Sequence, residues 1–325
     1  MILILLKILL ALLLAVTAAL LVLFLNGTMR QKYMGADPVL STWMARIDDN
    51  ALLRQIAIPG SHDAGTRGLI WAGETQNYTI TEQLLSGSRY FDLRVHKKNG
   101  KNVIFHSILD GMEFSSVLYA IRDFIQSHPS ETILLDFQHF KDSQDEVKQL
   151  LISELGTQDL LVCNKTNLSQ LEFIRHLTLG QARGKCIVFW GDRSETNSDF
   201  LFLRNDNECT YKNMCLDSYY LSKCHKMNTR GLIETAYPVY YARLHRQQSA
   251  GCDAMFVLQC QLTDGLFVRG PWSRERKHDP IISDYIRCLA RSEHLPYINI
   301  ILRDFITPGK CEDIIALNKE KKLMA

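Results

Sequence analysis

Five residues of types suited to acid–base chemistry lie in or just after short apolar runs that are far apart in the chain. They are His62, Asp63, Arg94, His106 and Asp304. Two imidazoles can share the acid and base steps of a reaction because imidazole titrates near neutral pH. A guanidinium binds phosphate oxygens through a planar fork, and a carboxylate behind an imidazole fixes its tautomer. Together these residue types predict cleavage of a phosphodiester.

Further polar residues occupy comparable positions. Asp92 lies in the same apolar run as Arg94, Asp136 lies within the run Thr132–Phe137, and Gln138 follows that run directly. A buried structural role suits Asp136 as well as a functional one. In a barrel of parallel strands the carboxyl ends of the strands meet at one mouth, where barrel enzymes place their active sites. We therefore expect the histidines, the arginine and the carboxylates to face one mouth.

Apolar runs separated by helical patterns predict the architecture. Several runs are continuously apolar, as expected for strands covered on both faces. Strands alternating with helices predict a parallel α/β fold, and eight strands suit a closed barrel of the TIM type. The eight runs are Gln55–Pro59, Tyr90–Val95, Asn102–His106, Thr132–Phe137, Lys185–Trp190, Met214–Tyr219, Ala254–Leu262 and Tyr297–Phe305.

The N-terminal segment is the one extreme feature of the composition. The only charged side chain up to Leu25 is Lys7, and the apolar run Ile8–Leu25 is long enough to cross a membrane as a helix. A cleaved signal peptide is the alternative, because small residues are frequent around residues 15–19. We therefore divide the chain into a signal anchor or signal peptide at 1–26, a linker at 27–50 that leads into a short amphipathic stretch around Leu40–Ile47, and a barrel domain at 51–318.

The remaining composition restricts the partners and the compartment. The 325 residues include 37 basic and 35 acidic side chains without a basic block, which argues against nucleic acid. Nine cysteines and four Asn-x-Ser/Thr triplets favour a lumenal or extracellular domain that is membrane-anchored or secreted. Disulfides and glycosylation are therefore expected, with buried free thiols as the alternative. The triplets begin at Asn26, Asn77, Asn164 and Asn167.

Four short motifs make a resemblance to a known family specific. They are GSHD at 60–63, FDLR at 91–94, FH at 105–106 and PSETI at 129–133. In order and spacing they resemble the X region of phosphatidylinositol-specific phospholipases C. The resemblance is strong over 52–140 and extends to residue 306. It implies a distorted TIM (β/α)8 barrel that acts on phosphatidylinositol or glycosylphosphatidylinositol lipid at a membrane surface.

The resemblance implies a role for each of the five residues. His62 would be the base that deprotonates the inositol 2-hydroxyl, with Asp304 behind it. His106 would be the acid that protonates the diacylglycerol oxygen, assisted by Asp63. Arg94 would bind the phosphate.

It also implies roles for four other residues. Asp92 would hold the local charge network. Asp217 and Tyr219 resemble the inositol-contacting pair of the bacterial enzymes. Gln138 replaces a lysine expected near the arginine and is the third candidate for a substrate contact.

The expected absence of a metal rests on three positions. The large eukaryotic members bind calcium through an asparagine after the first histidine and through acids on the following strands. Here Asp63 stands at the asparagine position, and Arg94 and Gln138 stand at the positions of two acids. A guanidinium beside a metal ion would be repulsive, so calcium and Arg94 are alternatives. The pattern resembles the metal-independent bacterial-type branch and the small X-domain-only proteins, which implies no metal and no cofactor.

Two other functions stay open from the sequence. A metal-dependent glycerophosphodiester or sphingomyelin phosphodiesterase on a similar barrel would need metal-binding acids after the first strands, and Arg94 argues against it. A catalytically silent barrel could bind a lipid head group or a protein, and the presence of both His62 and His106 argues against that. No feature predicts the oligomeric state.

Overall fold

A closed barrel of eight parallel strands forms the centre of the protein, which confirms the predicted TIM-type barrel. The computed structural model describes residues 2–27, 33–70, 72–191, 198–205, 214–225, 228–249, 251, 253–263 and 270–324. The strands are β1 (Ile58–Ser61), β2 (Tyr90–Lys98), β3 (Lys101–His106), β4 (Leu109–Glu113), β5 (Thr132–Lys141), β6 (Lys185–Trp190), β7 (Leu201–Asn205), β8 (Leu216–Asp217), β9 (Met255–Gln259) and β10 (Ile300–Arg303). The barrel order is β1-β10-β9-β8-β7-β6-β5-β2, and pairing of β1 with β2 closes the ring.

Strands β3 and β4 lie outside the barrel and correct one prediction. We predicted Asn102–His106 as a parallel barrel strand, but β3 runs antiparallel to β2, with Val95 opposite Ile104. The cause is the turn at Asn99 and Gly100, whose φ angles of 48° and 77° are the left-handed values of a two-residue hairpin turn. The eighth barrel strand is β7 instead, which the sequence did not lead us to predict.

Helices cover the outside of the barrel. Those in the described ranges are α1 (Ile2–Gly27), α2 (Pro38–Ser41), α3 (Ile80–Leu85), α4 (Phe114–Ser127), α5 (Gln144–Glu154), α6 (Gln170–His176), α7 (Leu179–Ala182), α8 (Ser222–His225), α9 (Thr229–Gly231), α10 (Tyr237–Ser249), α11 (Gly270–Cys288) and α12 (Pro308–Glu320). One apolar cluster includes residues of β2, α4 and α5, and another includes residues of β9, α10, α11 and α12.

A third apolar cluster joins residues of the barrel strands to the segment before β1. Trp43 and Met44, in the predicted amphipathic stretch Leu40–Ile47, are fully buried there. The Trp43 indole Nε1 donates a hydrogen bond to the Gly87 carbonyl oxygen at 2.9 Å. Burial of such large side chains contributes roughly 1.5–3 kcal/mol each, so part of the predicted linker helps to hold the barrel closed.

Helix α1 has a long apolar segment whose described side chains, those of residues 4–21, are all exposed. Its segment Ile4–Leu21 has 18 residues with a mean hydropathy of 2.8. A helix rises 1.5 Å per residue, so a segment of this length approaches the roughly 30 Å of a hydrocarbon layer. Length and composition therefore suit a membrane span or a signal sequence.

The seven cysteines within the described ranges are all free, and five of them are buried. The expected disulfide framework therefore does not involve Cys215, Cys224 or Cys260, whereas Cys209 and Cys252 lie outside the described residues. Their buried positions match the alternative of packed free thiols. Among the glycosylation triplets, Asn77 is buried and Asn167 is exposed.

Candidate active site

The parallel register of β1 and β10 brings the first histidine to its carboxylate. Ser61 lies opposite Arg303, so the next residues, His62 and Asp304, leave the two strands side by side. The distance between His62 Nδ1 and Asp304 Oδ1 is 2.7 Å, although 242 residues separate them in the chain. Asp304 therefore fixes the orientation of the imidazole and leaves Nε2 for other contacts.

Asp63 is the centre of the site. Its Oδ1 lies 2.8 Å from Arg94 Nε, and its Oδ2 lies 3.4 Å from His62 Nε2 and 3.6 Å from His106 Nε2. The backbone of Asp63 has a φ of 42°, a left-handed value that is unfavourable for a residue with a side chain. Such strain concentrates at functional sites, because the surrounding structure must hold it. One buried carboxylate thus joins both predicted imidazoles and the predicted guanidinium.

His106 reaches this group from the hairpin rather than from the end of a barrel strand. Its Nδ1 lies 2.8 Å from the carbonyl oxygen of Gly73, to which it donates a hydrogen bond. That bond leaves Nε2 facing Asp63. His106 therefore lies in the barrel mouth as expected, but it is positioned by the hairpin strand β3 and not by a barrel strand.

Charge and burial compete at His62 and Asp63. Burial lowers the pKa of His62 because it disfavours the charged imidazolium, but the carboxylates around it, chiefly Asp63 and Asp304, raise the pKa from 6.5 to about 9. Burial raises the pKa of Asp63, but Arg94 and the two imidazoles lower it from 3.8 to about 2. At neutral pH the site therefore contains an imidazolium beside an ionised carboxylate.

A second layer of charge lies deeper in the barrel. Asp136 accepts hydrogen bonds from the Tyr90 hydroxyl and lies 2.5 Å from Arg204 Nε. Burial is the largest cause that raises the pKa of Asp136 to about 6. These partners suit a structural role for Asp136 beneath the site. Arg204 escaped prediction because it belongs to β7, the barrel strand that was also missed.

The three predicted substrate contacts lie in different surroundings. Asp217 is fully buried, with its two carboxylate oxygens 2.6 Å and 2.9 Å from Arg243 on α10. The Arg243 guanidinium also lies 4.6 Å from the centre of the Tyr219 ring. Neither residue makes a described contact with the group around Asp63. Gln138 lies in β5, directly after the residues that pair with β6. Its buried Oε1 accepts no hydrogen bond from any residue that the structure describes.

Tyr220 is a residue of the mouth that the sequence did not reveal. Its hydroxyl lies 2.5 Å from Thr263 Oγ1. Burial raises the pKa of its phenol, and the charges of Asp304 and Arg94 also act on it. The motif offered two adjacent tyrosines after a strand of two residues, and alternation alone could not decide which of them faces the mouth.

Three residues have the types and spacing of a cation site. The ligand atoms of His62, Asp63 and Asp92 all lie within 4.8 Å of one another. Carboxylates and an imidazole suit a divalent ion. Arg94, however, already places a guanidinium 2.8 Å from Asp63 Oδ1 and 3.9 Å from Asp92 Oδ2. A cation held by these carboxylates would therefore face the guanidinium as a like charge.

A closed parallel barrel with two imidazoles, a guanidinium and carboxylates at its mouth is typical of barrel proteins with an acid–base site. Residues 50–191 match the family described as phosphatidylinositol-specific phospholipase C, X domain. The matched segment is less than half of the 325 residues, and it contains all four motifs. This finding confirms the resemblance carried by the four motifs.

Individual relatives agree with this family. The 1-phosphatidylinositol phosphodiesterase of Staphylococcus aureus (strain Newman) is 34% identical over 158 residues, which are 45% of this chain and 49% of that protein. The protein of the same name from Listeria monocytogenes is 24% identical over 291 residues, 85% of this chain and 84% of that protein. PI-PLC X domain-containing protein 2 of Homo sapiens is 34% identical over 134 residues, 30% of this chain and 43% of that protein. The chain thus spans less than half the length of the first four relatives that it matches.

Solved structures share the fold. The phosphatidylinositol-specific phospholipase C of Listeria monocytogenes superposes with a TM-score of 0.61 at 21% identity, covering 86% of this chain and 98% of that one. A structure of the Staphylococcus aureus enzyme gives a TM-score of 0.64 at 17% identity, covering 86% and 97%. At these identities the likeness establishes the barrel architecture.

Proposed function

We propose that this protein cleaves a glycerophosphoinositol-type lipid to diacylglycerol and a cyclic inositol phosphate. The observation that carries the proposal is the meeting of His62, His106 and Arg94 on the single carboxylate of Asp63. Phosphodiester cleavage needs a base, an acid and a fixed cation within reach of one phosphorus. The names of the bacterial relatives, which act on phosphatidylinositol, support the choice of substrate.

The reaction would be an intramolecular displacement at phosphorus. His62, held by Asp304, takes the proton from the inositol 2-hydroxyl, and that oxygen bonds to phosphorus. The bond from phosphorus to the glycerol oxygen breaks, and His106 gives this oxygen a proton. Arg94 stabilises the charge that builds on the other phosphate oxygens. Asp63 Oδ2, 3.6 Å from His106 Nε2, would assist the acid step.

The proposal includes the remaining assignments from the sequence. Asp92 would support Arg94. Gln138 would contact the substrate, since its Oε1 has no hydrogen-bond partner among the described residues and can accept a hydrogen bond. Asp217 and Tyr219 would contact the inositol, with Arg243 holding the Asp217 carboxylate and lying against the Tyr219 ring. The barrel domain at 51–318 would act on membrane lipid from a lumenal or extracellular position, with α1 as its anchor or as the signal for secretion.

A lipid panel with and without EDTA tests the function. We expect the full-length protein to cleave phosphatidylinositol or a glycosylated anchor at a rate that EDTA changes by less than about twofold, because the chemistry rests on side chains. Sphingomyelin and phosphatidylcholine should not be cleaved, since their choline head group has no free hydroxyl that could attack phosphorus in place of the inositol 2-hydroxyl. The measurement is the formation of the cyclic inositol phosphate, monitored by phosphorus NMR.

A metal-dependent phosphodiesterase is the second candidate, favoured by the cluster of His62, Asp63 and Asp92. It predicts that EDTA abolishes turnover and that calcium restores it. It also predicts that Arg94→Gln tightens metal binding, because the like charge is removed. Either result would replace the metal-independent mechanism.

The pH dependence tests the pairing of His62 with Asp304. The base must be neutral, and its carboxylate neighbours raise its pKa to about 9, so kcat/KM should rise with pH up to about 9. Asp304→Asn removes a charge and an acceptor, so it should move this limb to lower pH and reduce kcat by about 10²-fold or more. The matched control is Asp110→Asn, because Asp110 Oδ1 makes a similar contact of 2.6 Å with His96 Nε2. An unmoved limb in the Asp304 variant would contradict the assignment.

A further inference from the structure

The two segments that carry His62 and Asp304 leave the barrel side by side. The ladder of β1 and β10 ends where Ser61 lies opposite Arg303, and His62 N donates one more backbone hydrogen bond to the Arg303 carbonyl oxygen at 3.0 Å. Phe305, directly after Asp304, has a φ of 47°, a left-handed value that the surrounding structure must hold. Contacts other than strand pairing must therefore keep the two segments in register.

The amide of Gln76 joins the two segments. Gln76 lies between β1 and α3, and its side chain is fully buried. Its Nε2 donates hydrogen bonds to the carbonyl oxygens of His62 at 2.9 Å and Arg303 at 3.1 Å. Its Oε1 accepts a hydrogen bond of 2.9 Å from Ile306 N. The NH2 group and the oxygen of one side chain thus hold the backbone at His62 and on both sides of Asp304.

Thr75 adds to this contact mainly through its backbone. Its carbonyl oxygen accepts a hydrogen bond of 2.7 Å from Phe305 N, and its hydroxyl lies 3.2 Å from the His62 carbonyl oxygen. A substitution at Thr75 would leave the backbone contact in place. The Gln76 amide, by contrast, is a side-chain group, so a substitution can remove all of its bonds to the two segments.

The contact between the two proposed reacting groups depends on this register. His62 Nδ1 and Asp304 Oδ1 are 2.7 Å apart. Hydrogen bonds weaken steeply as distance and angle depart from the preferred values. A displacement of about 1 Å in a catalytic group can cost about 10²-fold in rate, so a small shift of either segment would matter.

We propose that Gln76 is a positioning residue that sets the distance between His62 and Asp304 in the proposed reaction. The inference rests on the proposed function and deepens it, since it names the side chain that holds the base to its carboxylate. Gln76 acts through the backbone of the two segments and transfers no proton. An amide suits this role because it does not titrate, so its hydrogen bonds persist while the imidazole changes its charge.

Gln76→Met in the full-length chain tests the inference. Methionine has a similar length but no strong hydrogen-bonding group, so the change removes the three bonds with little change in volume. We expect kcat on phosphatidylinositol to fall about tenfold. The limb of kcat/KM that rises with pH should move to lower pH by about half a unit or more, because His62 moves away from a charge that raises its pKa.

Asn299→Leu is the matched control at the opposite end of the same two strands. Asn299 is buried and directly precedes β10. Its Nδ2 donates hydrogen bonds to the carbonyl oxygens of Leu53 at 3.1 Å and Ile56 at 2.7 Å, and its Oδ1 accepts one of 3.4 Å from Phe256 N. Both variants lose three hydrogen bonds of a buried amide, so both should unfold at a lower temperature. The control should keep the wild-type pH limb and a kcat within about twofold of wild type.

A titration without substrate provides a second readout. The imidazole of His62 can be followed by NMR in the full-length protein labelled with ¹³C-histidine, with its signal assigned by its loss in His62→Ala. The pKa of this imidazole should be about 9 in the wild type and lower in Gln76→Met. If the methionine variant does not fold, Gln76→Asn replaces it, since asparagine keeps the amide but is one methylene too short to reach both segments.

The remaining outcomes decide against the inference. An unmoved His62 pKa in a folded Gln76 variant would overturn it, and a lower kcat with an unmoved pH limb would assign Gln76 to stability alone. An equal shift of the limb in Asn299→Leu would show that the loss of any buried amide has this effect. If the wild type cleaves no lipid, the proposed function fails, and the titration still decides whether Gln76 positions the pair.

Discussion

Replacing His62 or His106 with alanine is expected to lower the rate of phosphatidylinositol cleavage by about 10²–10⁴-fold, because each change removes a group that transfers a proton. The folded state should persist, since both side chains lie at the mouth and not in one of the apolar clusters. The measurement is kcat on vesicles beside a thermal unfolding curve. His176→Ala is the control, because this imidazole is 63% exposed and pairs with Glu172 on the outside of α6.

The two histidines can also be told apart. An analogue in which p-nitrophenolate replaces diacylglycerol needs no acid, because its leaving oxygen is stable as an anion. His106→Ala should regain most of its activity on that analogue, whereas His62→Ala should not, because the attacking hydroxyl still needs a base. Equal recovery of both variants, or normal turnover by either one on the lipid, would end the proposed division of roles.

Arg94→Lys is expected to lower kcat by about 10²-fold, the size of effect seen when one fixed donor to a developing oxyanion is lost. Lysine keeps the positive charge near Asp63, so the charge balance and the fold should survive. What it lacks is the planar fork that can meet two phosphate oxygens while one nitrogen stays on Asp63, 2.8 Å away. The measurement is kcat and KM on the same vesicles, and kcat should fall more than KM rises.

Arg175→Lys provides the comparison for Arg94→Lys. Arg175 also pairs with carboxylates, at 2.8 Å from Glu172 and 3.4 Å from Asp253, but it lies outside the barrel mouth. Its variant should keep the wild-type rate. A wild-type rate in the Arg94 variant as well would show that a point charge is sufficient, and the proposed bidentate contact would be wrong.

Much of the fold could be predicted from the sequence because parallel strands that are buried on both faces consist of continuous apolar runs. Seven of the eight predicted runs overlap barrel strands. The error concerned β3, because the hairpin turn at Asn99 and Gly100 makes this strand antiparallel to β2 and places it outside the barrel. Strand β7 was missed because its five residues, Leu201–Asn205, resemble any short apolar segment, and only its place between β6 and β8 defines it.

The candidate site was predictable to the extent that its residues follow strands. His62 and Asp304 come directly after β1 and β10, so the barrel rule brings them together. The direction in which each side chain points could not be predicted from the sequence. Asp217 meets Arg243 of α10, and no local pattern could have shown which helix would cover that strand.

By itself the sequence determined the types of reacting groups and their order along the chain. Each motif is local, and its residues lie at or directly after the end of one strand. The tertiary structure alone decided that Asp63 joins His62, His106 and Arg94, because those contacts depend on distances between segments that no local pattern records. It also decided the pKa of about 9 for His62, since the charges of Asp63, Asp304 and Asp92 act on the imidazole through space and their effect falls off with distance.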